Sequence, residues 1–314
     1  MRVYIIIGII LSIGFRAAAQ DKLLVAGSGN PNILLLDKQT GKVEWQHALE
    51  KGEECNAVAL TKKGEILYSY KRGAKLVTWD HQVVWDYKTP DKTELQSATL
   101  LQNGGVLLGI CGIPAQFIEL DKKGKEVNKV TLNLEVERPH SQFRQVFQLR
   151  NSNYLIPVMA KQKVLEVSRK GKIIAEHQIE GKAFSSLELP NGNLLLPCGD
   201  NHYYIVIDRK TGKELKRVNA LDIEGVALLF VGQILQLKNG NLLICNWYGH
   251  TKDTTVDEPQ LIEIDKNGKV VWSLHDKKNV GKISAACYID NFRLPDLKSV
   301  SYTHLRAHET DSYL

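Results

Sequence analysis

Short apolar runs recur along the whole chain and are broken by turn residues rather than spaced as a helical face would be. One set reads Ile33-Leu-Leu-Leu-Asp37, Leu76-Val-Thr-Trp-Asp80, Phe117-Ile-Glu-Leu-Asp121, Val164-Leu-Glu-Val-Ser168, Tyr204-Ile-Val-Ile-Asp208 and Leu261-Ile-Glu-Ile-Asp265. All but the second lead into a glycine-bearing turn with a lysine, as in Lys123-Gly-Lys125, and then into another short strand such as Val270-Val-Trp272. The second has His81-Gln82 before Val83-Val-Trp85. Asp bonds its own backbone and Gly accepts positive φ, so these pairs predict β-hairpins.

A second set of turns interleaves with the first: Lys63-Gly64, Asn103-Gly104, Asn151-Ser152, Asn191-Gly192 and Asn239-Gly240, at successive separations of 40, 48, 40 and 48 residues. Two alternating hairpins give four strands per period, which is the arithmetic of a β-propeller blade. Complete blades are expected near 54–88, 94–132, 140–179, 184–218 and 230–274. Strands near 23–26, 33–37 and 43–46 lack a first strand, and 283–290 supplies one. The expected fold is therefore an all-β, six-bladed propeller of four-stranded antiparallel blades, closed by its two chain ends, which removes exposed edges. Seven or eight blades would follow if natural sequence were missing after residue 298.

Both ends fall outside this pattern. Met1-Arg2, an apolar stretch from Val3 to Phe15 and Ala17-Ala18-Ala19 read as a secretory signal over residues 1–19, too short to span a bilayer. Residues 20–298 form the single propeller domain, and the 299–314 tail is expected to be artefactual or disordered, since 300–310 resembles a translated sequencing adapter. The expected product is exported, periplasmic or extracellular, with no transmembrane segment after cleavage.

The Asp37-Lys-Gln-Thr-Gly-Lys-Val-Glu-Trp45 and Asp208-Arg-Lys-Thr-Gly-Lys213 stretches resemble the pyrroloquinoline-quinone-like (PQQ-like) propeller repeat. Pro190-Asn-Gly-Asn-Leu-Leu-Leu196 and Lys238-Asn-Gly-Asn-Leu-Leu-Ile244 are similar to repeats of arylsulfotransferase-type propellers, whose members have six blades. The resemblance spans about residues 22–290. It implies the fold but leaves the activity open, because both families contain binding scaffolds as well as enzymes. Quinone-dependent members often carry a vicinal cysteine pair; Cys55, Cys111, Cys198, Cys245 and Cys287 include no adjacent pair. They are expected to be buried free thiols, with one disulfide as the alternative. No motif supports PQQ, calcium or zinc, so no cofactor and no metal site is expected.

The 314 residues are 43% hydrophobic and 24% charged, ordinary values for a folded domain. The formal charge is +6, yet no run exceeds two consecutive basic residues, which argues against a nucleic-acid partner.

Propeller topology sends the short turns to one rim and the longer, diverse loops to the other, where binding is expected. Counting back from the turns places Asn56, Gln96, Ser97, Arg144, Gln145, Ser185, Gln233 and Ser284 at the channel mouth on the loop rim. The loop 246–260 adds Trp247, Tyr248, His250, Asp253, Asp257 and Glu258, an aromatic pair beside a histidine and acids. His140 and Arg144 form a second pair able to move a proton and hold an anion. Arylsulfotransferases use His and Arg in the channel, but no adjacent histidine pair occurs here. The leading expectation is an exported, non-catalytic scaffold that binds a protein segment, glycan or small molecule on this rim. The alternative is a channel-mouth group transferase or hydrolase using His140, Arg144 and His250.

Overall fold

The computed structural model describes residues 20–251 and 257–295. The expected signal, the tail and Asp253 lie outside the described residues. Within them, six four-stranded antiparallel sheets form the six blades of a propeller. Blade 1 is Val58–Leu60, Ile66–Tyr70, Gly73–Val77 and Val83–Lys88. Blades 2 to 5 repeat this meander over 94–132, 147–178, 187–218 and 231–274. In blade 6 the innermost strand, Ala285–Phe292, pairs with Gln20–Ala26, which is followed by Asn32–Asp37 and Val43–Ala48. Leu24 lies opposite Cys287 at this closure. The ring is complete at six blades, and the seven- and eight-blade alternatives fall.

The hydrophobic pattern explains the layering. Middle strands touch neighbouring blades on both faces and are rich in apolar residues, so Ile33, Leu34, Leu35 and Leu36 are all buried, and the buried carboxylates among them, Glu119, Glu166 and Glu263, are paired. Outer strands form the outer edge of each blade and are partly open to water, so Val83–Lys88 has only exposed and half-buried positions.

Every hairpin between third and fourth strands carries a register shift at the same place. The sequence pattern sets it: Asp121 accepts from the Lys123 and Lys125 amides at 2.8 and 3.0 Å, and Gly124 takes φ +80°. Such an αL residue after a type I turn makes a bulge. Blade 1 departs from the alignment of its repeat. Its turn opens at Thr78, two residues before Asp80, because the Thr78 hydroxyl accepts the Gln82 amide at 3.1 Å and His81 takes the glycine position at φ +69°.

Ion pairs join neighbouring blades along the turn rim. Arg209 of blade 4 grips Glu166 of blade 3 through Nε and Nη2 at 2.8 and 2.7 Å, and its Nη1 reaches Glu188 at 2.9 Å. Arg169 of blade 3 grips Glu119 of blade 2 in the same way, and Lys38 of blade 6 lies 2.7 Å from Glu263 of blade 5. Between blades 6 and 1 aromatic packing replaces charge: Trp45 meets Trp79 edge-on at 4.9 Å and donates its Nε1–H to the Trp79 carbonyl at 2.7 Å. The five cysteines are free; four are buried, and burial pushes the Cys55, Cys111, Cys198 and Cys245 thiols up to about 12.

Candidate functional site

Connections between blades, and between second and third strands, all reach the rim opposite the short turns. There they enclose a cavity of about 700 Å³ at the mouth of the channel.

One wall is polar. The segment between blades 2 and 3 makes a short 3-10 turn at Pro139–Ser141, which brings His140 over Arg144. His140 Nδ1 lies 2.7 Å from Glu94 Oε2, and Nε2 lies 2.9 Å from Arg144 Nη2. A guanidinium can only donate, so Nε2 accepts and the ring proton sits on Nδ1, facing Glu94. Burial pushes the Glu94 carboxyl up, but His140 and the Gln96 amide outweigh it and hold the group below its usual range.

Arg144 also donates to the carbonyls of His140 at 2.6 Å and Phe143 at 3.0 Å, which fixes its direction. The side chain is 8% exposed, and no carboxylate pairs with it among the described residues. Burial lowers its pKa, as expected for a cation taken from water without a counter-charge. It remains cationic, since arginine is not deprotonated in proteins.

The facing wall is aromatic. Phe184 meets Phe230 at 5.2 Å and Phe230 meets Trp247 at 5.0 Å, both edge to face. Trp247 donates to the Ser28 carbonyl at 2.9 Å, which anchors the ring. His250 packs edge-on against Trp247 at 4.8 Å, and its Nδ1 lies 2.7 Å from Asp200 Oδ1. No described residue bonds its Nε2.

Amides link the inner edges of the blades beside and beneath this cavity. Asn56 donates to Gln96 at 2.8 Å, the Gln145 amide donates to the Asn56 carbonyl at 2.7 Å, and Gln233 accepts the Ala286 amide at 2.8 Å. Gln145 and Gln233 line a second cavity of about 430 Å³ towards the turn rim. The hydroxyls of Ser185 and Ser284 have no hydrogen-bond partner among the described residues, and Ser284 lines the mouth cavity.

Of the residues picked out in the sequence, Asn56, His140, Arg144, Trp247, His250 and Ser284 meet on one cavity. Gln96, Ser97, Gln145, Ser185 and Gln233 are buried beside or below it, and Tyr248 instead stacks under Lys277 at 5.3 Å. Asp257 pairs with His275 at 2.6 Å, and Glu258 accepts the Ala227 amide at 2.8 Å. Sequence reasoning missed Glu94, Asp200, Phe184 and Phe230. A signal existed for the phenylalanines, because Phe143, Phe184 and Phe230 recur just before the first strands of blades 3, 4 and 5. Among the described residues, no three His, Cys, Asp or Glu side chains converge as metal ligands.

The fold and the cup at its loop rim define a six-bladed propeller with one polar-aromatic cavity at the channel mouth. The chain belongs to the Mal s 1 allergenic protein-like family, whose model matches residues 29–269. It is similar to a Bacteroides caccae protein of unknown function, with 43% identity over 86% of this chain and 99% of that one and a TM-score of 0.83. A streptogramin B lyase (12% identity, 85% of this chain and 83% of that one, TM-score 0.59) shares the fold. So does a chain from a nidogen/laminin complex (10% identity, 85% and 98%, TM-score 0.62). One of these folds belongs to an enzyme and the other to a protein complex, so the shared architecture does not choose between the classes. No curated protein matches the chain. The likeness to PQQ-like and arylsulfotransferase propellers rests on the repeat motifs alone.

Proposed function

We propose that the protein is an exported binding protein whose loop-rim cavity takes a small ligand with an anionic group beside an apolar or sugar-ring face. One observation carries this reading: Arg144 is a buried cation, oriented by His140 and two carbonyls, with no carboxylate partner among the described residues. An unpaired buried charge is costly, and an anionic ligand would offset that cost with charge-assisted hydrogen bonds. Phe230, Trp247 and His250 offer the opposite wall to a ring, and the unpartnered Ser284 hydroxyl offers it a hydrogen bond. The expected apo protein folds without a cofactor.

Calorimetry with galacturonate and 4-nitrophenyl sulfate tests this, with glucose and 4-nitrophenol as neutral controls. The anionic compounds should bind, and Arg144→Met should weaken them roughly 30-fold or more. Equal binding of the neutral controls, or unchanged affinity in the variant, overturns the reading.

A second reading, a channel-mouth group transferase or hydrolase, draws on the His250–Asp200 pair. With the proton of Nδ1 directed at Asp200, Nε2 has a lone pair available as a general base on the cavity that Arg144 shares. Release of 4-nitrophenolate from 4-nitrophenyl sulfate that disappears in His250→Ala would favour this reading; no release would remove it for that substrate class.

A further inference from the structure

A second concavity of about 410 Å³ opens between blades 1 and 2 on the same rim, and Arg138 and His140 line both it and the mouth cavity. The two adjoin at these residues, with His140 standing between Glu94 on the outer side and the buried Arg144 on the inner side. Lys71, Arg72 and Lys92 line the outer part. Lys71 lies 3.4 Å from Glu94, and Arg72 pairs with the fully exposed Asp91 at 2.8 Å. Lys92 and Arg138 have no ion-pair partner among the described residues. Lys182 adds a sixth cation at the mouth, against Glu54, Glu94 and Asp200 as the acids lining the two concavities.

We infer that this groove continues the binding site and that the ligand is an acidic oligosaccharide. Its terminal anionic group would sit on Arg144, and the following acidic sugars would run out over Arg138, Lys71 and Lys92. The inference rests on the reading of Arg144 as an anion holder and names the ligand class for it. Three features favour a sugar chain over an acidic peptide. Apart from Pro139 the outer groove is lined by polar and charged side chains, so it offers no apolar pockets for peptide side chains. The inner cavity has an aromatic wall suited to the apolar face of a pyranose ring. The outer end is open, so chain length is not limited by the cavity.

The test compares galacturonate, its linear hexamer, a neutral hexasaccharide and hexaglutamate by calorimetry at low and moderate salt. The hexamer should bind at least tenfold more tightly than the monomer, with the gain shrinking as salt screens the exposed cations. Arg72→Gln/Lys92→Gln, at two residues that line only the outer groove and pair with none of Glu94, His140 and Arg144, should remove this gain and leave monomer affinity as it was. Monomer binding that needs Arg144 with no gain from length, or a gain that survives the double variant, overturns the groove and leaves the reading of Arg144 standing. Hexaglutamate binding as tightly as the hexamer, or a neutral hexasaccharide doing so, overturns the sugar assignment. If neither monomer nor hexamer binds, the sugar assignment falls, and the reading of Arg144 falls with it if 4-nitrophenyl sulfate does not bind either.

Discussion

Arg209 on the turn rim and Arg144 on the loop rim are both largely withdrawn from water, yet their surroundings differ. Arg209 meets Glu166 through two bonds and Glu188 through a third, and these carboxylates raise its pKa. Arg144 meets carbonyls and a histidine nitrogen, and burial lowers its pKa. One rim matches its charges and ties blades together. The other holds a charge in place without neutralising it, an arrangement that favours a visiting anion over the apo fold. On the proposed reading, structure and function are separated by rim on a scaffold whose blades repeat a single plan.

The largest effect should come from breaking the matched pair. Arg209→Met leaves Glu166 buried without its partner and is expected to cost about 3 kcal/mol, read as a fall in Tm of roughly 6–10 °C. Acid sharpens this result. Burial pushes the Glu166 carboxyl up, but Arg209, Asn151 and Asn153 together bring it down to about 2, against 4.5 for an unperturbed glutamate. Between those values the unfolded chain binds the proton more readily, so the contribution of the pair is present above pH 4.5 and lost as pH falls towards 2. Urea unfolding from pH 6 to 2.5 should therefore show the gap between wild type and Arg209→Met closing.

The matching change on the other rim should behave differently. Arg144→Met removes three hydrogen bonds but also an unpaired buried charge, so its stability should stay within about 1 kcal/mol of wild type. The gap should not close with acid in the way the Arg209 gap does. A loss as large as that of Arg209→Met would mean that Arg144 serves the fold, and the contrast between the rims would collapse.

The smallest effect concerns blade 1. His81→Gly relieves an αL histidine and should stabilise the turn by no more than about 1 kcal/mol, less what is lost with the stacking of His81 on Trp45. A rise in Tm of a degree or two, or none, fits; a large fall would make that stack, rather than the turn, the main tie between blades 6 and 1.

The fold was legible because repetition averages out local ambiguity. The paired turns and their spacing fixed strand number, blade number and closure, and only the offset turn at Thr78 escaped. The site was legible where its residues stand out chemically in the connections, as His140, Arg144, Trp247 and His250 do. It was illegible in two ways. Position along a first strand gives depth but not side-chain direction, so Gln145 and Gln233 were assigned to the mouth while the structure turns them below it. Phe184 and Phe230 drew no reading in the sequence, and only the meeting of adjacent blades makes them a cavity wall. Glu94 and Asp200 matter through histidines 46 and 50 residues away, a pairing that no local pattern announces.

The amides beneath the mouth bear on the path of the proposed ligand. Asn56 lines the upper cavity, Gln145 lines the lower one, and the bond between them ties the inner edge of blade 3 to that of blade 1. On the proposed reading, a long acidic chain would present its end, rather than its middle, to Arg144.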